Sequence, residues 1–495
     1  MKKFIKIDDN DNVVVALQDL AKNDFIEVDN KKIKLIDDVN RGHKIAIKNI
    51  NTNEKIIKYG FPIGHAIKVI KEGEWVHTHN IKTNLSGINE YRFNQKLIKN
   101  TFENKNLTFN GYKRIDGNVG IRNELWIVPT VGCVNGIADN IMKKFKSEIG
   151  KLQIDNTNVL KHNYGCSQLG DDHANTRTIL CNVAKHPNAG GVLVLGLGCE
   201  NNYISEFKKY LGNYDEKRIK FLVIQEVNDE IDEGVSLLKE LYDNMKNDKR
   251  EEIPLSELKI GLKCGGSDGF SGITANNLIG KISDFIIAQG GTTVLTEVPE
   301  MFGAETILME RAINEEVFKK EVNLINDFKE YYMKFNQPVY ENPSPGNKAG
   351  GITTLEDKSL GCIQKAGTES VVDVLKYGET LKKHGLNLLS APGNDMVSTS
   401  ALAASGCQMV LFSTGRGTPF GTFVPTVKIS TNTDLYKLKP HWIDFNAGSM
   451  IENTSIDILI ENLIKLIISV ASGKKVNNEI NNFRELAIFK SGITL

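Results

Sequence analysis

The sequence predicts a multidomain α/β protein: a small all-β module first, then two α/β regions built on mainly parallel, doubly wound sheets. Three observations predict it. From Tyr112 onward, short apolar runs alternate with helical stretches, the βαβα pattern of a parallel sheet. Before about residue 90, β-rich runs are separated by turns and charges with no helical period. Four cysteines (Cys133, Cys166, Cys199 and Cys264) recur in one kind of place, the turn after an apolar run. At 495 residues the chain exceeds what one core sustains, and about two to four domains are expected.

Residues 1–95 hold the β-rich runs Asn12–Leu17, Lys32–Ile36, Lys44–Ile50, Lys55–Tyr59, Ala66–Ile70 and Trp75–His79, with glycines at 42, 60, 64 and 73. The last run ends in HTHN. If it is a strand, His77 and His79 share a face and can reach one metal ion; otherwise they are a surface pair. Residues 96–110, polar and rich in Asn and Lys, read as a linker.

Residues 111–255 form the second region. Leu125–Val128 ends at PTVGCVNG, Val159–His162 at NYGCSQLGDDH, Val192–Leu195 at GLGCE and Phe221–Gln225 at EVNDE, with helical stretches between them. Val192–Leu195 is uniformly apolar, as a buried parallel strand must be. Ligands bind outside the carboxyl ends of such strands, which places Cys199 and Glu200 at the mouth of a site.

Residues 256–495 form the third region. Leu258–Leu262 runs into KCGGSDGFSGITAN, and Met409–Ser413 runs into TGRGTPFG; Leu386–Ser390 is a further buried strand. ENPSPGNKAGG, residues 341–351, is too dense in Pro and Gly for a helix or strand interior and is expected to be a functional loop.

Composition excludes several function classes. Lys+Arg and Asp+Glu are both 61, so no net field favours nucleic acid or an anionic membrane. No run approaches the roughly 18 apolar residues of a membrane span, and MKKFIKIDDN lacks an apolar signal core. Seven scattered cysteines suit reduced thiols in a cytoplasmic protein. GLGCEN is not a full dinucleotide fingerprint, and no phosphate-loop motif occurs.

The strand-end cysteines admit three readings: buried packing, a soft-metal or iron–sulfur site, or an activated nucleophile. Arg416, between two glycines, can fork onto a carboxylate or merely cap its turn. Lys348 in PGNKAGG is either a solvated loop lysine or a group that closes over an anion. His162 and His173 flank the Cys166 turn as packing groups, ligands or acid–base groups. Asp171, Asp172 and Asp268 can orient such groups, bind a hard cation or cap helices.

VNRGHKIAI, KYGFPIGHA, VHTHN, TVGCVNGIA, YGCSQLGDDH, GLGCENN, CGGSDGFSGITAN, EVPEMFGAE, ENPSPGNKAGGITTLEDKSLGC, APGND, FSTGRGTPFGTFVPTVKI, HWIDF and the terminal FRELAIFKSGITL are long, unusual strings. Over nearly its whole length the chain resembles the altronate/galactarate dehydratase family, and HTHN favours the altronate branch. The resemblance implies a β-clip module of the SAF type followed by two Rossmann-like α/β regions. It implies loss of water from D-altronate across C2–C3, giving 2-dehydro-3-deoxy-D-gluconate in hexuronate breakdown. A galactarate-type or sulfolactate-type lyase on the same frame is the alternative.

On this basis His77, His79, Cys166, Cys199 and Glu200 are candidate ligands for iron(II), which manganese(II) can replace. The alternative cofactor is a labile iron–sulfur cluster on Cys133, Cys166, Cys199 and Cys264. Lys348 and Arg416 are expected to clamp the substrate, and His162 or His173 to move a proton. Gly165, Ser267, Asp268, Asn347, Thr414 and Gly415 are expected to line the substrate. The partner is a small sugar acid, with no nucleic acid and no membrane, and a homodimer is expected.

Overall fold

The computed structural model describes residues 3–495. In the N-terminal module, strands Phe4–Ile5, Val13–Ala16, Lys44–Ala46 and Trp75–Val76 form an antiparallel sheet. A second, three-stranded sheet joins Lys55–Lys58, Phe61–Ala66 and Ile81–Lys82. The hairpin Phe25–Val28/Lys31–Lys34 turns on Asp29 and Asn30, both at positive φ, as a tight two-residue hairpin turn requires. Its first strand escapes a hydrophobicity reading because Glu27 interrupts it and Lys31, Lys32 and Lys34 charge the strand it pairs with.

Two expectations need correction here. The strand carrying HTHN ends at Val76, and His77–Asn80 is a turn closed by Asn80, whose Oδ1 accepts from His77 N at 2.9 Å. The same-face argument for His77 and His79 therefore fails. The 96–110 linker belongs to a longer segment, 83–107, without helix or strand, and it is strapped down rather than free. Gln95 Nε2 donates to the Ala312 carbonyl at 3.0 Å, Asn100 Nδ2 to the Asp284 carbonyl at 2.9 Å, and Tyr91 OH to Glu305 Oε1 at 2.5 Å.

The middle region holds a four-stranded parallel sheet ordered Asn156–Val159, Glu124–Pro129, Ala189–Gly196, Ile219–Val223. Ala189–Gly196 is buried at every position, which is why it reads as an unbroken apolar run. An antiparallel pair, Thr108–Lys113 with Glu251–Pro254, closes this region where it enters and leaves.

The third region holds seven parallel strands in the order Val371–Leu375, Gly385–Leu389, Thr292–Leu295, Lys259–Cys264, Met409–Thr414, Thr426–Ser430, Phe445–Asn446. Its apolar core runs on into the N-terminal module through Ile50, Ile56, Ile63 and Ile70. A second cluster joins Trp126 and Val194 of the middle sheet to Leu402 and Val410 of the third. The C-terminal segment returns to the middle sheet: Arg484 forks onto buried Glu124 with both contacts at 2.7 Å. Among the described residues no helix is long and apolar enough to cross a membrane.

Candidate active site

In an open parallel sheet, ligands sit outside the carboxyl strand ends where the strand order reverses. In the seven-stranded sheet that point lies between Lys259–Cys264 and Met409–Thr414, because the chain leaves the first strand towards one edge and later returns to its other side. The two turns beyond these ends are locked together: Gly265 N donates to the Ser413 carbonyl at 3.0 Å and Arg416 N to the Gly266 carbonyl at 2.9 Å. A cavity of about 360 Å³ opens there, lined by Gly265, Glu300, Asn342, Asn347, Lys358 and Asp395 among others.

Its floor is a buried lattice of thiols, carboxylates and ammoniums. Cys264 Sγ lies 3.4 Å from Cys362 Sγ, and Glu300 Oε2 lies 3.5 and 3.1 Å from the two sulfurs. Lys358 Nζ donates to Glu300 Oε1 at 2.8 Å; Lys365 Nζ donates to Cys264 Sγ at 2.8 Å and to Glu297 Oε2 at 3.0 Å. Lys263 pairs with Glu297 and, at 2.8 Å, with Asp395. Burial alone would raise the Glu300 pKa, but Lys358, Lys263 and Lys365 outweigh it and hold the carboxyl at about 2. Burial would lower Lys358 and Lys365, yet the surrounding carboxylates and thiols push both above the usual lysine range. Glu297 stands at φ 68, a left-handed conformation costing roughly 1–3 kcal/mol, held by these ion pairs.

None of Glu297, Glu300, Lys358, Lys365 or Cys362 was singled out from the sequence. One signal was available: Lys263 interrupts an otherwise apolar buried strand, where an ammonium needs a partner.

The rim is Ser344–Gly351. Its Pro and Gly content predicted a loop, but Pro345–Ala349 makes a one-turn helix, because Pro345 sits at the tolerated first position and Ser344 and Asn347 form a reciprocal cap. The N-terminal module grips this turn from behind. His77 Nε2–H donates to the Lys348 carbonyl at 2.9 Å, His43 Nε2–H to the Ala349 carbonyl at 3.3 Å, and Lys44 Nζ to the Gly351 carbonyl at 2.7 Å. His77 stacks on Trp75 and His43, and burial draws its pKa down to about 4. Lys44 and Lys58 also meet Asp357, at 2.8 and 2.9 Å, in a buried triad joining the two domains.

Lys348 and Arg416 have no ion-pair partner among the described residues, and Arg416 is exposed. Arg416 lies beside Gly346, where a Cβ would be 3.9 Å from its Nε. Of the expected substrate-lining residues, Asn347 lines the cavity, and all of them also hold loops in place. Asp268 is half-buried and accepts from Ser271, Thr431 and Asn432, and Gly415 presses on it so closely that a Cβ would lie 2.2 Å from its carboxyl carbon. Asn347 Nδ2 donates to the Ser267 carbonyl at 2.9 Å, and Thr414 Oγ1 accepts from Gly417 N at 2.9 Å. Gly165, at φ 102, lies against Thr130, leaving no room for a side chain.

The expected ligands His77, His79, Cys166, Cys199 and Glu200 do not form a single-ion site among the described residues. Among the described residues, the set of three metal-ligating types within 4.8 Å of one another is Cys264, Glu300 and Cys362. Glu200 turns inward, accepting from Thr130 Oγ1 at 2.6 Å and Gly198 N at 2.6 Å, because the tight glycine turn needs its amides satisfied. His162 has both nitrogens on backbone, Nε2–H to the Pro129 carbonyl at 2.8 Å and Nδ1 from Tyr164 N at 3.1 Å, which leaves none for proton transfer. His173 Nε2 accepts from Arg177 at 2.6 Å. Asp172 holds the C-terminal tail through Ser491 N and Gly492 N rather than a cation. Cys264 is buried in the third region, so the four-cysteine set divides; Cys133, Cys166 and Cys199 are exposed on the middle sheet.

Comparisons with known proteins agree with this architecture. Residues 2–84 match the altronate/galactarate dehydratase SAF domain, 111–246 the second domain of D-galactarate dehydratase/altronate hydrolase, and 255–494 the D-galactarate/altronate dehydratase C-terminal domain. The chain is 63% identical to the altronate dehydratase of Bacillus subtilis and 57% identical to that of Escherichia coli, each over 100% of both chains. It is 32% identical to the galactarate dehydratase (L-threo-forming) of Escherichia coli, over 98% of this chain and 96% of that one. The chain belongs to the altronate/galactarate dehydratase family, with an N-terminal SAF domain.

Proposed function

We propose that the chain is a hydro-lyase that removes water from D-altronate across C2–C3, giving 2-dehydro-3-deoxy-D-gluconate. The observation that carries this reading is the switch-point cavity with the Glu300–Lys358 pair in its wall. Arg416 packs beside Gly266 of its lining, Lys348 follows Asn347 of its lining, and neither cation has an ion-pair partner among the described residues. The two altronate dehydratases that match over their full length support the choice of substrate.

The proton α to a carboxylate is weakly acidic, so fixed positive charge must meet the dianion that forms as it leaves. Arg416 can fork onto the substrate carboxylate, and Lys348 adds a second charge from the gripped turn. Lys358 spends two of its three N–H groups on Glu300 Oε1 and Asn342 Oδ1, and the third is left for a substrate oxygen. The proposed metal is iron(II), replaceable by manganese(II). Cys264, Glu300 and Cys362 suit iron in donor type and in span, and Glu300 reaches the cavity wall. Bound there, the ion would supply Lewis-acid polarisation of a substrate oxygen.

An anaerobic assay with iron(II), following the 2-keto-3-deoxy acid from altronate or galactarate and pyruvate plus sulfite from sulfolactate, tests the reading. Turnover of altronate is expected. Turnover of either other acid with none of altronate would overturn it.

A further inference from the structure

The four-stranded sheet has its own switch point, between Glu124–Pro129 and Ala189–Gly196, and the cavity chemistry above does not use it. Cys133 follows the first of these strands and Cys199 the second, while Cys166 follows the neighbouring Asn156–Val159. All three thiols are exposed. The turns that carry them are knitted together: Gly132 N donates to the Tyr164 carbonyl at 2.9 Å, Asn202 N to the Gly165 carbonyl at 3.0 Å, and Ser167 N to Asn201 Oδ1 at 2.8 Å. Ser167 takes a left-handed φ of 57, and Leu495 N at the chain's end donates to its carbonyl at 2.9 Å, so the Cys166 turn is fixed from both sides.

We infer that Cys133, Cys166 and Cys199 hold an iron–sulfur cluster of the four-iron type, with one iron left without a protein ligand. Spacing separates this from a mononuclear site. Thiolates around one ion at about 2.3 Å stand about 3.8 Å apart. Among the described residues these three sulfurs do not form the set within 4.8 Å that one ion would need, a condition that a cubane, which places each thiolate on a different iron, does not impose. The surroundings suit an anionic cluster. Helices Asn135–Ile149, Gly170–Ala184 and Ile204–Leu211 begin just after the three cysteines, so a positive helix end follows each thiol turn, offset in the last two by Asp171, Asp172 and Glu206 in their first turns. Gln225 Nε2 lies 3.6 Å from Cys199 Sγ and Ser167 Oγ 3.9 Å from Cys166 Sγ, donors of the kind that tune cluster sulfur. The Glu200 carboxylate, next to Cys199 in the chain, is turned away onto Thr130, and Asp172 is held by Ser491 N and Gly492 N.

The inference goes beyond the hydro-lyase reading and does not rest on it. The test is anaerobic reconstitution of the full chain with iron(II) and sulfide, followed by iron and acid-labile sulfide counts and the visible absorption spectrum. The expected result is about four iron and four sulfide per chain. Both counts and the absorption should be lost in Cys133→Ser, Cys166→Ser and Cys199→Ser, and kept in Cys407→Ser. Because the three thiols are exposed, these variants should melt like the parent. Iron without labile sulfide, or sulfide retained in the triple variant, would overturn the inference.

Discussion

The Nε2–H of His77 donates to the carbonyl oxygen of Lys348 at 2.9 Å, across the boundary between the SAF domain and the C-terminal domain. A histidine that sequence reading places among metal ligands is instead a bracket for a rim lysine. Replacing it should loosen the Ser344–Gly351 turn without unfolding either domain. We expect His77→Ala to raise KM for altronate by about 5- to 10-fold, the value of one hydrogen bond, while His77→Gln keeps a donor and most of the affinity. Unchanged KM in His77→Ala would remove the bracket from the mechanism.

The two rim cations predict a different signature. Lys348→Ala and Arg416→Ala should each raise KM by roughly 10- to 100-fold, the scale of a charge-assisted contact. Arg416→Lys should recover part of the loss, since it keeps the charge and gives up the fork. Neither side chain has an ion-pair partner among the described residues, so melting temperatures should stay with the parent. A large fall in melting temperature would show that these residues serve the fold.

Asp357→Asn should be far more damaging. It leaves Lys44 and Lys58 buried without their shared carboxylate, at a cost of about 3–5 kcal/mol. Calorimetry should show a lower transition temperature, with the SAF domain loosening first. A variant within about 1 kcal/mol of the parent would mean that solvent reaches this triad.

Acid should weaken the fold in a defined window. Burial lowers His77 to about 4 and fully buried His186 to about 3, so both bind fewer protons folded than unfolded. Their stability is present above the ordinary histidine pKa of about 6.5 and falls away as pH drops from there towards 4. Asp357, held below the usual carboxylate range by Lys44 and Lys58 against its own burial, loses its contribution only at lower pH. The unfolding free energy from urea titrations should therefore fall between pH 7 and pH 4.5, by an amount on the order of 2 kcal/mol or more. A flat profile across that interval contradicts neutral, buried imidazoles.

The architecture was legible because buried parallel strands leave long apolar runs, as at Val192–Leu195 and Met409–Ser413, and the glycine-rich ends of those runs mark where ligands sit. The strand-end position of Cys133, Cys166, Cys199 and Cys264 was legible for the same reason. Their division was not, because the first three belong to one sheet and Cys264 to another, and which turns meet depends on strand order. The roles of Glu200 and His162 were hidden too: their hydrogen bonds go to backbone or to a hydroxyl brought near only by folding.

The sequence by itself determined the layered α/β plan, the all-β N-terminal module and the family, since periodicity and long motif strings are local properties of a chain. Tertiary structure alone decided that Glu297, Glu300, Lys358 and Lys365 surround Cys264, and that His77 faces a carbonyl oxygen rather than a metal ion. The physical reason is that a buried charge or imidazole is defined by its partner, and these partners lie far away in sequence. The GVLVLGLGCE turn shows both sides of this: its run of apolar residues announced a strand end, and only the packed turns showed that Cys199 faces outward while Glu200 faces in.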